Sequence, residues 1–205
     1  NDWKEIVRSS PMARSVYAAT GSTVSIASGR LSFVLGLQGP CAAYDTACSA
    51  ALVAGHAALR ALQLSECSAG LAVGVSTMLL PEVSLAFATA GMTSARGHCH
   101  TFDARADGYV RSESVCSAAL QRSGGGESAY LRQREAAPLT HVAERFGLSG
   151  SCVRQDGKSA SLTAPNGQAQ QALLRAALAD AGVGVGAPEV VCVEAHGTGT
   201  ALGDP

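Results

Sequence analysis

The 205-residue sequence is 47% apolar and only 15% charged, which excludes a disordered chain and points to one sizeable buried core. With 15 basic and 16 acidic side chains its formal charge is −1, so no broad basic surface marks a binder of nucleic acid or of an anionic membrane. No apolar run approaches the roughly 20 residues that span a bilayer, and the amino end, Asn1-Asp2-Trp3-Lys4-Glu5, lacks a signal peptide's apolar stretch. The expectation is an intracellular protein with no membrane span. Its 7 cysteines are odd in number and irregularly spaced, which fits reduced thiols, most of them small core residues, better than a disulfide framework.

Short apolar strands alternate with Ala/Leu-rich helical stretches without a repeat period, the pattern of a layered α/β domain with buried strands. Pro40 to Cys48 is small and apolar enough for a buried strand, and Ser49 to about Gln63 follows as a helix with Leu52, Val53, His56, Leu59 and Leu62 at helical intervals. Leu71 to Val75 reads as a buried strand and Glu82 to Ala90 as a helix stopped at Gly91. Val115–Leu120 and Phe146–Val153 read as two further strands. Between them, RSGGGES (122–128) and the polar run after it have the composition of a surface connection or insertion. Asn166 is expected to cap a helix running to about Ala181, with Gly182 just past its end. Val190–Val193 is the last expected strand, and it leads into His196-Gly197-Thr198-Gly199-Thr200, which places the histidine at a strand end, where open α/β sheets often hold catalytic groups.

Cys48 stands apart from the other thiols by its setting, a strand-to-helix junction flanked by Ala47, Ser49 and Ala50. Small neighbours allow a tight nucleophile elbow, and the unsatisfied amides at a helix start favour an anion such as a thiolate. On these residues alone an inert core cysteine remains an equal alternative. A histidine in a glycine-rich turn is likewise more often structural than catalytic. The glycine spacing after His196 is not G-x-G-x-x-G, which argues against a dinucleotide loop. His98-Cys99-His100 places three donor types in a row, but adjacent residues rarely converge on one ion, so a surface loop is expected and no metal site.

Four ordered motifs carry a resemblance. GRLSFVLGLQGPCAAYDTACSAALVA (29–54), PEVSLAFATAGMTSARGHCHTFDARADGYVRSE (81–113), QDGKSASLTAPNGQAQQALLRAALADAG (155–182) and VEAHGTGTALGDP (193–205) resemble the ketosynthase domains of polyketide synthases and the related β-ketoacyl-carrier-protein synthases of fatty-acid synthesis. The resemblance implies a thiolase-like layered α/β/α/β/α fold of two related halves, of which residues 1–205 would form a partial ketosynthase domain, the later part of the first half and the start of the second. It further implies β-ketoacyl synthase activity with Cys48 as the acyl-accepting nucleophile and His196 as a catalytic histidine. Thr198 and Thr200 would be substrate contacts along a pantetheine arm.

No directly bound cofactor is implied, since substrates ride on the phosphopantetheine of an acyl carrier protein, the expected partner. A homodimer is implied as well, pairing near Pro40 to Thr46. A second histidine and a lysine belong downstream of Gly203-Asp204-Pro205 in the family, so the isolated residues are expected to hold an incomplete site. Two departures stand out. The family's G-E-G after YVR is Ser112-Glu113-Ser114, where loss of glycine removes left-handed backbone freedom, and DTACSS is DTACSA. The intact cysteine excludes loading variants in which glutamine replaces it. The competing expectations are another thiolase-superfamily acyltransferase and a non-catalytic ketosynthase kept as a dimerisation module, against which the retained Cys48 and His196 speak.

Overall fold

Cap chemistry and helix-forming runs set the elements in chain order. The computed structural model describes residues 2–122, 129–133, 145–186, 190–201 and 203–204. Its helices are α1 (Asp2–Ser9), α2 (Ala18–Ser22), α3 (Val24–Leu35), α4 (Ala50–Gln63), α5 (Pro81–Thr89) and α6 (Gly167–Asp180); its strands are β1 (Ala69–Ser76), β2 (Ser114–Arg122), β3 (Ala129–Gln133) and β4 (Arg145–Leu148). Short 3-10 turns cover Pro11–Arg14 and Ala47–Ser49. Contacts divide the chain into two units, Asn1–Leu79 with Ser114–Ser149 and Leu80–Glu113 with Gly150–Pro205.

The first unit is built on a four-stranded antiparallel meander in the order β1-β2-β3-β4, with β1 and β2 paired from Ala69 opposite Gln121 to Ser76 opposite Ser114. Helix α4 lies on it. Leu59 and Leu62 of α4 and Leu120 of β2 are sealed together, with Ala58, Cys67, Ala72, Ala118 and Leu148 around them. Helix and strand come close because both are lined with small residues: a methyl group added at Gly74 would sit 3.1 Å from the Ala51 Cβ. Past its last turn α4 is closed by Ser65, in the left-handed conformation at φ 61°, and by the Glu66 amide donating to the Ala61 carbonyl at 2.9 Å.

The second unit contains α5, α6 and the segments 92–113 and 190–204, and none of the described strands lies in it. Pro81 opens α5, which ends as expected before Gly91 at φ 67°. Asn166 caps α6, its side-chain oxygen accepting from the Gln168 and Ala169 amides at 3.1 and 3.3 Å, and Gly182 follows at φ 70°.

Several expectations are corrected. Residues 40–46 form no strand: Ala, Pro and Asp have poor strand propensity, and the segment has no ladder partner among the described residues. Val190–Val193 is not a strand either, and Val191 and Val193 are 91% and 77% exposed rather than buried. The last strand of the meander stops at Leu148, short of Val153, while a strand, β3, runs through the polar stretch read as a connection. Residues 123–128 and 134–144 of that connection lie outside the described residues. The described strands are also less buried than expected, since Leu71, Val75 and Val115 are 41%, 64% and 69% exposed, as an antiparallel sheet permits on an uncovered face. Five of the seven cysteines, Cys41, Cys48, Cys99, Cys116 and Cys192, are exposed instead of core residues. Ser112 and Ser114 both avoid positive φ and Ser114 opens β2, so serine suits this backbone.

Candidate active site

Cys48 sits in the 3-10 turn that feeds α4, with its side chain exposed. The junction expected from sequence is present, although a turn rather than a strand precedes it. Polar groups of the same motif hold the turn: the Ala47 amide donates to Asp45 Oδ1 at 3.3 Å, and the Ser49 hydroxyl donates to the Thr46 carbonyl at 2.9 Å and lies 2.8 Å from Thr46 Oγ1. Ala47, directly before the cysteine, is held at φ 55°, a left-handed conformation that costs a non-glycine residue about 1 kcal/mol or more. Such strain is the mark of an elbow. Because the Ser49 hydroxyl is turned back on Thr46, no side chain caps the start of α4, and an open helix start accommodates negative charge beside Cys48.

A second thiol of the same unit has a marked environment that sequence reasoning passed over. The neighbouring Ser28 and Ser32 hydroxyls hold the Cys41 thiol below the ordinary thiol value. The serines are four apart on α3, so one helix face presents both. Their spacing was the available signal.

His196 lies in the second unit, exposed, at the start of a turn in which Gly197 and Gly199 take φ 58° and 65°. The turn is tied to the 98–108 segment at several points. Thr101 Oγ1 donates to the Gly197 carbonyl at 2.8 Å, the Gly108 amide donates to the Gly199 carbonyl at 3.0 Å, and Asp204 Oδ2 accepts from the Gly199 amide at 2.7 Å and the Phe102 amide at 3.2 Å. Gly108, at φ 119°, has no room for a side chain, because a Cβ would meet the Thr93, Met92 and Ser94 backbone at 2.6–2.7 Å. Thr198 and Thr200 are brought together, their hydroxyl oxygens 2.9 Å apart, and Thr200 Oγ1 accepts the Gly203 amide at 3.1 Å.

The 98–108 segment has its own clasp. Asp107 accepts from the Ser94 hydroxyl at 2.6 Å and from Arg96 Nε at 3.0 Å, and these bonds hold its carboxyl below the ordinary value. Asp103 pairs with Arg105 and is held well below the carboxylate range by it. Cys99 Sγ accepts the Val110 amide at 3.2 Å, so the His98-Cys99-His100 run closes a loop; no cluster of three or more ligating groups suited to a metal occurs among the described residues. Asp204, Thr101 and Gly108 were not singled out from sequence. They lie in the quoted motifs, but their pairing joins residues about a hundred positions apart, which no local pattern reveals.

Residues 1–124 match the family model for the beta-ketoacyl synthase N-terminal domain, and residues 146–205 that for the C-terminal domain. The chain belongs to the beta-ketoacyl synthase family. Relatives of this condensing family include a Mycobacterium bovis phenolphthiocerol synthesis polyketide synthase, 46% identical over 92% of the chain and 8% of the relative, and the erythronolide synthase EryA3 of Saccharopolyspora erythraea, 44% identical over 92% of the chain and 6% of the relative. Among solved structures, the ketosynthase from module 6 of the Bacillus subtilis bacillaene synthase superposes with a TM-score of 0.75 at 34% identity, covering 91% of the chain and 31% of that structure. The fold is therefore that of ketosynthase domains, the thiolase-like class expected from sequence. The chain spans less than a tenth of these two curated relatives and about a third of that structure.

Proposed function

We propose that this chain supplies the nucleophile and one catalytic histidine of a β-ketoacyl synthase, and that residues 1–205 all belong to one ketosynthase domain. The observation that carries the reading is the Cys48 turn: an exposed thiol on a strained elbow, at a helix start that no side chain caps, within the family's DTACS motif. The Cys48 thiolate attacks an acyl thioester, forming a new thioester and releasing the carrier thiol, so the acyl group keeps its reactivity. A malonyl-type thioester then loses carbon dioxide and becomes an enolate. His196 donates a hydrogen bond to the developing oxygen charge, a contribution worth about 3–4 kcal/mol when removed. The enolate carbon attacks the acyl carbonyl on Cys48, a carbon–carbon bond forms, and the Cys48 thiolate leaves a β-ketoacyl thioester.

Both substrates are carried on the phosphopantetheine of an acyl carrier protein, which is the working partner of a homodimer in this reading. Thr198 and Thr200, half-buried with adjoining hydroxyls, are assigned to the pantetheine arm. Among the described residues no helix is long and apolar enough to cross a membrane. The test is product formation from acyl and malonyl carrier thioesters by the full-length protein that carries these residues. A β-ketoacyl product that disappears in Cys48→Ala is expected, and malonyl decarboxylation falling about 100-fold or more in His196→Ala. Unchanged decarboxylation in His196→Ala contradicts the histidine's role.

A further inference from the structure

We infer that Asp204 is a positioning residue for His196, acting through the backbone of the turn between them. The inference rests on the reading of His196 as the enolate-stabilising group. One oxygen of Asp204 performs two tasks: Oδ2 accepts the Gly199 amide at 2.7 Å and the Phe102 amide at 3.2 Å. The first bond ties Gly199, three residues past His196, to Asp204, and the second fastens the same carboxylate to the neighbouring segment. The other oxygen, Oδ1, is buried and has no partner among the described residues. A carboxylate with one oxygen buried unsatisfied is a cost, and its retention needs a gain elsewhere. The gain is in the geometry it imposes.

Both amides that the carboxylate holds belong to residues in the left-handed region, and at one of them this is strained. Gly199 takes φ 65°, and Phe102, a bulky residue 66% exposed, is held at φ 55°. A left-handed aromatic residue persists only where its surroundings fix it, and the Asp204 bond to its amide does so. Asp204 is itself fixed, because its own amide donates to the Thr200 carbonyl at 3.0 Å, beside the Gly203 amide on the same oxygen at 3.1 Å. The Thr101 bond to the Gly197 carbonyl and the Gly108 bond to the Gly199 carbonyl complete the frame. These bonds fix the backbone immediately after His196, and with it the place from which the imidazole projects. Charge-assisted bonds to backbone amides are the stronger kind, so Asp204 is the member whose loss frees the turn most.

The experiment measures malonyl decarboxylation, Cys48 acylation and the melting midpoint in the full-length protein for Asp204→Ala, Asp204→Asn, His196→Ala and the His196→Ala/Asp204→Ala pair. A displacement of about 1 Å in a catalytic group costs about 100-fold, so Asp204→Ala is expected to lose about that factor in decarboxylation kcat, while Cys48 acylation at saturating acyl carrier stays within about threefold. Asp204→Asn keeps an acceptor oxygen in place and is expected to recover about tenfold of the loss; it carries the test if the alanine variant does not fold. In the His196→Ala background, Asp204→Ala is expected to cost nothing more, because a group acting through the histidine has nothing left to position. Wild-type decarboxylation in the Asp204 variants, or an undiminished loss in the His196→Ala background, overturns the proposal and leaves His196's own role standing. Wild-type decarboxylation in His196→Ala alone overturns the reading beneath it as well.

Discussion

The turn that carries Cys48 rests on α4, whose Leu59 and Leu62 are sealed against Leu120 of the sheet, whereas the turn that carries His196 is fixed by glycines and by hydrogen bonds to Thr101, Gly108 and Asp204. Apolar packing is non-directional and tolerates small shifts of the atoms that make it. Hydrogen bonds at fixed lengths and glycines at positive φ specify a backbone path. The two proposed catalytic residues are therefore sensitive to different substitutions. The helix behind the nucleophile depends on volume, whereas the histidine's segment depends on backbone geometry throughout.

That contrast can be broken at either end. Leu62→Ala, at a side chain 0% exposed, is expected to cost about 3 kcal/mol by leaving a cavity under α4. Hydrogen exchange is expected to rise in α4 while the Phe102 and Gly199 amides keep their protection. Gly108→Ala is expected to do the reverse, at about 2–3 kcal/mol, because its methyl group would overlap the Met92–Ser94 backbone at a φ that disfavours any side chain. Equal loosening of both regions in both variants would show that the two kinds of support are not separable.

The limits of α4, α5 and α6 were legible in the sequence because the signals are local, whereas α1, α2 and α3 were not read from it. Asn166 and Gly182 bracket α6, Pro81 and Gly91 bracket α5, and the leucine spacing before Gln63 gives α4. Strands were legible only where a partner exists. Val190–Val193 has the composition of a strand and none of the pairing among the described residues, while β3 was hidden in a polar stretch because ladder bonds do not depend on hydropathy. Cys48 and His196 were found through motif resemblance. Asp204 escaped because its partners, Gly199 and Phe102, are joined only by the folded chain.

Smaller effects sharpen the account. Asn166→Ala is expected to lower stability by about 1 kcal/mol, read from the melting midpoint, through loss of the α6 cap. Acid should open the Asp107 clasp. The Ser94 hydroxyl and then Arg96 hold the folded carboxyl below its ordinary value, so the clasp contributes fully above that value and is lost as pH falls through the lowered one. Exchange at the Arg96 and Tyr109 amides followed across that range, with Asp107→Asn abolishing the pH dependence, checks the sign. Least affected is the exposed pair of Glu5 and Arg8, 3.8 Å apart, where Glu5→Gln is expected to change stability by less than about 0.5 kcal/mol.

The most direct test of the central claim is peptide-level mass spectrometry of the full-length protein after incubation with an acyl carrier thioester. The acyl mass is expected on the peptide containing Cys48 and is expected to vanish in Cys48→Ala. An adduct on Cys41 instead, or an adduct that survives Cys48→Ala, would contradict the assignment of Cys48 as the nucleophile.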